Sequence, residues 1–245
     1  MFVRSGTVGQ QGPLHLRKRG SMRYLPINLD IRTRPVVVVG GGEIAGRKVL
    51  RLLESGALVT VVAPQLTEEL RQLAQNGRIR HLKRDYAAGD LNGAFLAIAA
   101  TSGSAVNRAV AAEAHGSSIL IDRVDEPEMS SFTMPAVITR DDLVITVSTS
   151  GKSPALARKI RAELERVFGE EYGATLRLLG ALREKLLTEK GNSAYNKTLF
   201  SELVAHDLPK LIKEHRHDEL DHLLLELFGP GFTTHDLLGE EKDHQ

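Results

Sequence analysis

The feature that most constrains the fold is a run of four valines followed directly by three glycines. Val36–Val39 is too short for a stable helix and is β-branched throughout, which favours a strand buried on both faces. After Gly40–Gly42, apolar side chains recur at helical spacing over residues 43–55, and a second apolar strand follows over 58–63. A strand, a glycine turn, a helix and a strand in about thirty residues predict a βαβ unit.

The glycine turn matches a dinucleotide-binding fingerprint. Gly40-x-Gly42-x-x-Ala45 follows the pattern G-x-G-x-x-G/A. The first glycine permits the tight turn, the second lets the backbone approach a pyrophosphate, and the small third residue allows the helix to lie close to the strand. Free N–H groups at the helix N-terminus attract the anion. The strand–turn–helix context therefore predicts a dinucleotide site, with a turn that serves packing only as the alternative.

The end of the second strand bears on the choice of cofactor. The acidic residue that usually holds the adenosine ribose is missing there, and Gln65 offers a neutral partner instead. No Arg or Lys stands at the strand end to hold a 2′-phosphate, and Arg71 is a turn and a half into the next helix. The sequence therefore favours NAD over NADP.

Two further strand ends place polar groups on the crevice side of the predicted sheet. A buried strand over 94–100 runs into Thr101, so Ala100, Thr101 and Asn107 are predicted near the reactive half of a dinucleotide. N-capping by Ser102 or Ser104 alone is the alternative. A strand over 118–121 leads into four carboxylates: Asp122, Asp125, Glu126 and Glu128. Their repulsion is expected to raise at least one pKa from about 4 toward neutrality, unless the loop is merely solvated.

In the second half of the chain the sequence pattern changes from alternating strands and helices to a hairpin followed by helices. Phe132–Ile138 and Leu143–Ser148 predict a β-hairpin suited to sheet extension or dimer pairing. A hydroxyl-rich turn then opens a helix over 155–168, where hydroxyls and amides could hold an anion or Ser153 could simply cap the helix. The remainder is helical in pattern to about Phe228, with breaks near Gly191 and at Pro209.

Composition excludes several classes. The 32 Lys+Arg residues balance 31 Asp+Glu residues, which argues against nucleic acid as a partner. With no cysteine there is no disulfide, thiolate nucleophile or iron–sulfur cluster, and a cytoplasmic location is favoured. No apolar run reaches the ~20 residues of a membrane span. His215, His217 and His222 are spaced poorly for one helical face, so no permanent metal site is predicted.

Residues 1–21 stand apart from the patterned sequence. They are basic, contain no acidic residue and have no apolar signal core, so we expect a disordered tail. Met22 opens the patterned sequence.

Several stretches, in order, resemble one family. They are Leu25-Pro-Ile, Val36 to Lys48, Ala97-Ile-Ala-Ala-Thr101, Val124-Asp125, Ser131-Phe-Thr-Met-Pro135 and Ser148 to Arg158. Over residues 22–187 the chain is similar to the precorrin-2 dehydrogenase/sirohydrochlorin ferrochelatase family of sirohaem biosynthesis. The resemblance implies an NAD-dependent oxidation of precorrin-2 to sirohydrochlorin. Some members also insert Fe²⁺ as a lyase, and the sequence leaves open whether this chain does.

The resemblance implies roles for individual residues. Besides Gly40, Ala100 and Thr101, the cofactor-binding residues are expected to be Gly42, Glu43, Ile44, Pro64 and Gln65. Asp125 is the expected catalytic carboxylate. Binding of the anionic tetrapyrrole is expected to involve Arg123, Thr149, Ser150 and Lys152, although each cation could be ordinary surface charge. Family members form dimers, so a homodimer is expected.

The predicted fold class is α/β. A Rossmann-like, mostly parallel sheet over 22–130 binds NAD, a β-hairpin over 131–152 serves dimerisation, and a helical domain covers 153–245. Two other functions are alternatives. An NAD-binding regulatory module without catalysis would need the dinucleotide fold but not Asp125. A small-alcohol dehydrogenase is disfavoured because no Tyr-x-x-x-Lys pair follows the strands.

Overall fold

The computed structural model describes residues 23–190 and 197–239. The predicted tail over 1–21 and the predicted helix break near Gly191 lie outside these residues. The described chain divides into two compact units, one ending at Phe132 and the other beginning at Thr133. The finer subdivision into a hairpin region and a helical domain stays a prediction.

The first unit is built on a five-stranded sheet in which every paired strand is parallel. Its strands, in the spatial order β3-β2-β1-β4-β5, are β1 Pro35–Val39, β2 Leu58–Val62, β3 Arg80–Leu82, β4 Leu96–Ala99 and β5 Leu120–Arg123. The valines of β1 are at most 7% exposed, as expected for the central strand of a sheet buried on both faces. The predicted parallel α/β sheet is therefore confirmed.

Three helices connect these strands. They are α1 Glu43–Glu54, α2 Glu68–Gln75 and α3 Ser104–Gly116. α3 buries Val110, Ala111 and Ala114 against alternate residues of the sheet, among them Val37 and Val39. A short 3₁₀ turn over Pro127–Met129 follows β5. The segment over 24–30 is an extended lead-in without strand pairing.

One buried ion pair ties α1 to the far strand of the sheet. Lys48 Nζ lies 2.5 Å from Asp122 Oδ2, and the two side chains are 19% and 7% exposed. Asp122 therefore belongs to the framework of the fold. Removal of one partner would leave a buried charge uncompensated, which makes such a pair costly to break.

The second unit begins with an antiparallel hairpin. β6 Ala136–Arg140 pairs with β7 Leu143–Val147, which confirms the predicted hairpin. Its first strand starts later than expected and runs on through Arg140, so the turn is shorter than predicted. Asp141, at φ 50°, makes the left-handed step of this turn.

Six helices follow the hairpin among the residues that the structure describes. They are α4 Pro154–Val167, α5 Glu170–Lys190, α6 Lys197–Ala205, α7 Leu208–Lys213, α8 His217–Phe228 and α9 Thr234–Leu238. Their apolar core includes Leu182, Leu203, Leu224 and Phe232.

The predicted helix break near Pro209 is present between α6 and α7, but it does not fall at the proline itself. Pro209 lies in the first turn of α7, where its missing N–H is not needed, and the Asp207 side chain accepts from Lys210 N to cap the helix. The break lies just before it. The sequence reading also missed α9, a single short turn of helix.

We expect Gly40→Ala to destabilise the first unit. Gly40 has φ +124°, and a Cβ there would overlap the Ala100 carbonyl. Strain and clash together should cost about 2–4 kcal/mol in the free energy of unfolding, measured by urea titration.

Gly77→Ala is the matched control for this substitution. Gly77 also has a positive φ, of +69°, but a Cβ there would meet nothing within 4 Å. Gly77→Ala should therefore lower the free energy of unfolding by only about 1 kcal/mol. Equal losses in the two variants would contradict the close approach at Gly40.

Candidate dinucleotide site

The turn after β1 is held by main-chain contacts to the neighbouring strands. Gly40 N donates to Val62 O over 2.9 Å, and Ala100 N donates to Val39 O over 2.8 Å. Gly40 is buried, and the main chain of Ala100 occupies the space a side chain would need. Its role is therefore to let two strand ends meet.

Gly41 joins the turn to the loop after β2. A Cβ on Gly41 would overlap the Gln65 carbonyl, and the Gly41 carbonyl accepts a 2.9 Å hydrogen bond from Thr67 N. The sequence reading attached no role to Gly41, because the fingerprint leaves this position unspecified. That Gly41 lies against the Gln65 carbonyl can be known only from the fold.

Gly42 differs from both preceding glycines. A Cβ on Gly42 would meet nothing within 4 Å, and its φ of −88° suits any residue. Gly42 is the N-cap of α1 and, having no side chain, makes no capping hydrogen bond to the first turn of that helix. Glu43 and Ile44 are exposed beside it, Ile44 by 45%. Open main chain at a helix N-terminus is the cradle that a diphosphate requires, so these residues fit a dinucleotide.

The loop after β4 is fixed by a buried amide. Asn107 is fully buried, and its Oδ1 accepts from Thr101 N at 3.1 Å and from Thr101 Oγ1 at 2.7 Å. Its Nδ2 donates to Thr101 O over 3.1 Å. Thr101 and Ala100 are half-buried on this loop, which lies at the same sheet edge as the glycine turn.

Asp125 follows β5 at that same edge and is held by a forked cation. Arg123 Nε donates to Asp125 Oδ1 over 2.9 Å, and its NH2 group donates to Oδ2 over 3.0 Å. These hydrogen bonds from Arg123 lower the pKa of Asp125, and a hydrogen bond from Asn107 adds to the effect. The Asp125 side chain remains 31% exposed.

The expectation of a carboxyl pKa raised by repulsion is wrong for Asp125. Arg123, two residues before it, lowers the pKa of this carboxyl by hydrogen bonds and by its positive charge, and these effects outweigh the opposing effect of burial. Asp125 is therefore a carboxylate at neutral pH.

Arg123 is itself fully engaged. Its side chain is 2% exposed and also pairs with Glu126 at 2.6 Å, while NH2 donates to Ser104 over 3.3 Å. These contacts favour a role in positioning Asp125. The predicted direct contact of Arg123 with a tetrapyrrole stays a prediction, and it would require part of this network to open.

The other predicted substrate-binding residues lie between β7 and α4, in the second unit. Thr149 Oγ1 accepts from Ser153 N at 3.1 Å, and Lys152 N donates to Thr149 O over 3.0 Å. Ser150 has a left-handed φ of 51°. The Thr149 hydroxyl thus shapes a turn that leaves Lys152 exposed.

A groove flanks Pro64 and Gln65 at the end of β2. Its lining includes Arg71, His81 and Lys83. The sequence pattern showed no cation at this strand end, because Lys83 comes directly after a neighbouring strand, β3.

Within the residues that the structure describes, no three His, Asp or Glu side chains are grouped so that they could hold a metal ion. None of the described helices is both long and apolar enough to cross a membrane.

Curated relatives match part of the chain. It is 40% identical over 186 residues to siroheme synthase 3 of Aeromonas hydrophila, a match that covers 76% of this chain and 40% of that protein. It is 44% identical over 163 residues to the siroheme synthase of Methylobacillus flagellatus, covering 66% of this chain and 35% of the relative. The chain thus spans well under half the length of these relatives.

A solved structure matches over more of its length. The chain superimposes on "SirC, precorrin-2 dehydrogenase" with a TM-score of 0.65 and 28% identity, covering 83% of this chain and 98% of the other.

The glycine turn and the loops around it define a dinucleotide-binding protein of the Rossmann class. The family model for putative NAD(P)-binding domains matches residues 27–136, and the model for the central part of sirohaem biosynthesis proteins matches residues 140–166. These matches support a place for the chain in the precorrin-2 dehydrogenase/sirohydrochlorin ferrochelatase family.

We expect Gly42→Leu to weaken NAD⁺ binding at least about tenfold, or roughly 1.4 kcal/mol, because the side chain would fill the space open to the diphosphate. Isothermal titration calorimetry measures the change. Stability should fall by no more than the ~1 kcal/mol of a lost cap preference. Gly116→Leu, at another open glycine at a helix end, should leave binding unchanged. Unaltered affinity in the Gly42 variant would exclude this cradle.

The pairing of Asp125 with Arg123 predicts a pH dependence. Because the pKa of Asp125 is lower in the folded chain than in the unfolded one, the pair stabilises the fold above about pH 4. That contribution is lost as the pH falls through the folded-state pKa. In Arg123→Gln the Asp125 pKa, read by carboxyl NMR, should rise toward its ordinary value.

Arg23→Gln is the control for this measurement. Arg23 pairs with Glu128 at 3.9 Å, and both side chains are exposed. The substitution should leave the Asp125 pKa where it is. A wild-type Asp125 that titrates at its ordinary value would contradict the proposed ion pair.

Proposed function

We propose that this chain oxidises precorrin-2 to sirohydrochlorin with NAD⁺ as the hydride acceptor. The observation that carries the proposal lies in the first unit. An open glycine turn fit for a diphosphate and the carboxylate of Asp125 both follow strands at the carboxyl edge of one parallel sheet. Ligands of open α/β sheets bind at this edge. The family and the likeness to a precorrin-2 dehydrogenase support the substrate.

The reaction removes a hydride and a proton from the tetrapyrrole. Bound NAD⁺ would supply the hydride acceptor, and the protein is left with binding, orientation and proton transfer. Gly42 and the first turn of α1 would hold the diphosphate, while Pro64 and Gln65 would flank the adenosine ribose. Ala100 and Thr101, fixed by Asn107, would border the reacting half.

Asp125 has two tasks in this proposal. As hydride leaves, positive charge develops on the tetrapyrrole, and an ionised carboxylate nearby stabilises that charge. The same charge makes the pyrrolic N–H groups more acidic, so a weak base with a lowered pKa can accept the proton. Arg123 keeps the carboxylate ionised and fixes the direction of its oxygens.

Several further predictions from the sequence belong to this proposal. Insertion of Fe²⁺, a second substrate, would release two pyrrolic protons that Asp125 could accept. Lys152, with Thr149 and Ser150, would contact the carboxylates of the tetrapyrrole. A homodimer formed through the hairpin and a cytoplasmic location complete the proposal.

Asp125→Asn should lower the rate of NADH formation from precorrin-2 at least about a hundredfold, the usual effect of a lost proton acceptor. NAD⁺ affinity should be unchanged, because Asp125 does not border the diphosphate cradle. NADH absorbance measures the first quantity and calorimetry the second.

Glu126→Gln is the matched control, since Glu126 also pairs with Arg123 but is 52% exposed. It should retain most of the activity. Normal turnover in Asp125→Asn would remove Asp125 from the mechanism. Wild-type protein that binds NAD⁺ but never oxidises precorrin-2 would favour the regulatory module instead.

A further inference from the structure

The groove beside Gln65 is a feature that NAD⁺ binding alone does not explain. It has a volume of about 500 Å³ and is lined by Gln65, Arg71, His81 and Lys83, among others. It opens next to the place where the adenosine ribose of a dinucleotide rests in this fold. The lining includes two permanent cations and no carboxylate.

Strand pairing brings Lys83 to this position. β3 runs parallel to β2 with Leu82 opposite Val62, and Ala63 N donates to Leu82 O over 3.2 Å. Lys83 is therefore the first residue beyond the end of β3, beside the loop that carries Gln65. In sequence the two residues are far enough apart to hide this proximity.

The side chains of Arg71 and Lys83 differ in how firmly the protein holds them. Arg71 pairs with Glu68, and its NH2 group donates to Leu66 O over 3.3 Å, which fixes it against the loop after β2. Lys83 is exposed and takes part in none of the hydrogen bonds or ion pairs found among the described residues. His81 is held by a 2.9 Å contact between Nε2 and Ala63 O. Lys83 is thus the cation available to a ligand.

We propose that this groove accepts a phosphate group on the 2′-oxygen of the adenosine ribose, so that the chain binds NADP⁺ as well as NAD⁺. An acidic residue at the end of β2 would repel such a phosphate, whereas the neutral Gln65 does not. Lys83 supplies the positive charge that attracts the phosphate. Arg71 contributes the part of its charge that its ion pair with Glu68 does not neutralise. This inference rests on the proposed dinucleotide function and extends it to a second cofactor.

The test compares four ligands on the full chain by isothermal titration calorimetry: NAD⁺, NADP⁺, 5′-ADP and 2′,5′-ADP. NADP⁺ should bind within about tenfold of NAD⁺. Lys83→Gln should weaken NADP⁺ and 2′,5′-ADP about fivefold, the effect of one solvent-exposed charge pair. The same variant should leave NAD⁺ and 5′-ADP unchanged. Added salt should weaken the 2′-phosphorylated ligands more than the others.

Arg78→Gln is the matched control. Arg78 is an exposed cation between α2 and β3 that does not line the groove, so its loss should leave all four affinities unchanged. A fivefold loss in this control would attribute the effect to general surface charge and overturn the assignment to Lys83.

The outcomes separate this inference from the proposed function. NAD⁺ binding without NADP⁺ binding, or an equal effect of Lys83→Gln on both, would overturn the groove assignment and leave the dehydrogenase proposal standing. A loss specific to NADP⁺ with no precorrin-2 turnover would support the groove and contradict the dehydrogenase. Failure of both dinucleotides to bind would overturn both.

Discussion

The organisation of the first unit depends on two places where main chain meets main chain with no room for a side chain. At Gly40 the space is taken by the carbonyl of Ala100, and at Gly41 by the carbonyl of Gln65. These contacts draw the loops after β1, β2 and β4 to one point. Because these contacts at Gly40 and Gly41 already fix the turn, no side chain is needed at Gly42 to hold it. The main chain at Gly42 and at the start of α1 can therefore stay open.

A second network sets the chemistry at the same sheet edge. Asn107 hydrogen-bonds to Thr101 and also helps to lower the pKa of Asp125. Arg123 donates a hydrogen bond to each oxygen of the Asp125 carboxylate. A buried amide and a buried guanidinium thus orient a carboxylate that is itself partly exposed. Such an arrangement favours a fixed negative charge over a group that changes protonation near pH 7.

Much of the fold could be predicted from local pattern, whereas contacts between segments distant in sequence could not. The valine run, the glycine turn and the hairpin are signals within a few residues, and the structure confirms those elements. Two features depend on which segments become neighbours: the Gly41–Gln65 contact and the approach of Lys83 to Gln65. The lowered pKa of Asp125 depends instead on the direction of the Arg123 side chain, which the sequence does not give. The helix break near Pro209 lies slightly earlier than predicted for a local reason, since a proline ends a helix or begins one according to the capping residue before it.

The three consecutive glycines respond to different evolutionary pressures. Mutation at the first two is opposed by the architecture itself, whatever the protein does. At Gly42 the main opposition comes from ligand affinity, because a Cβ there would meet nothing within 4 Å. A lineage that no longer needs the ligand could replace Gly42 and keep a stable fold. The residue at this position in a homologue therefore indicates whether ligand binding is still under selection.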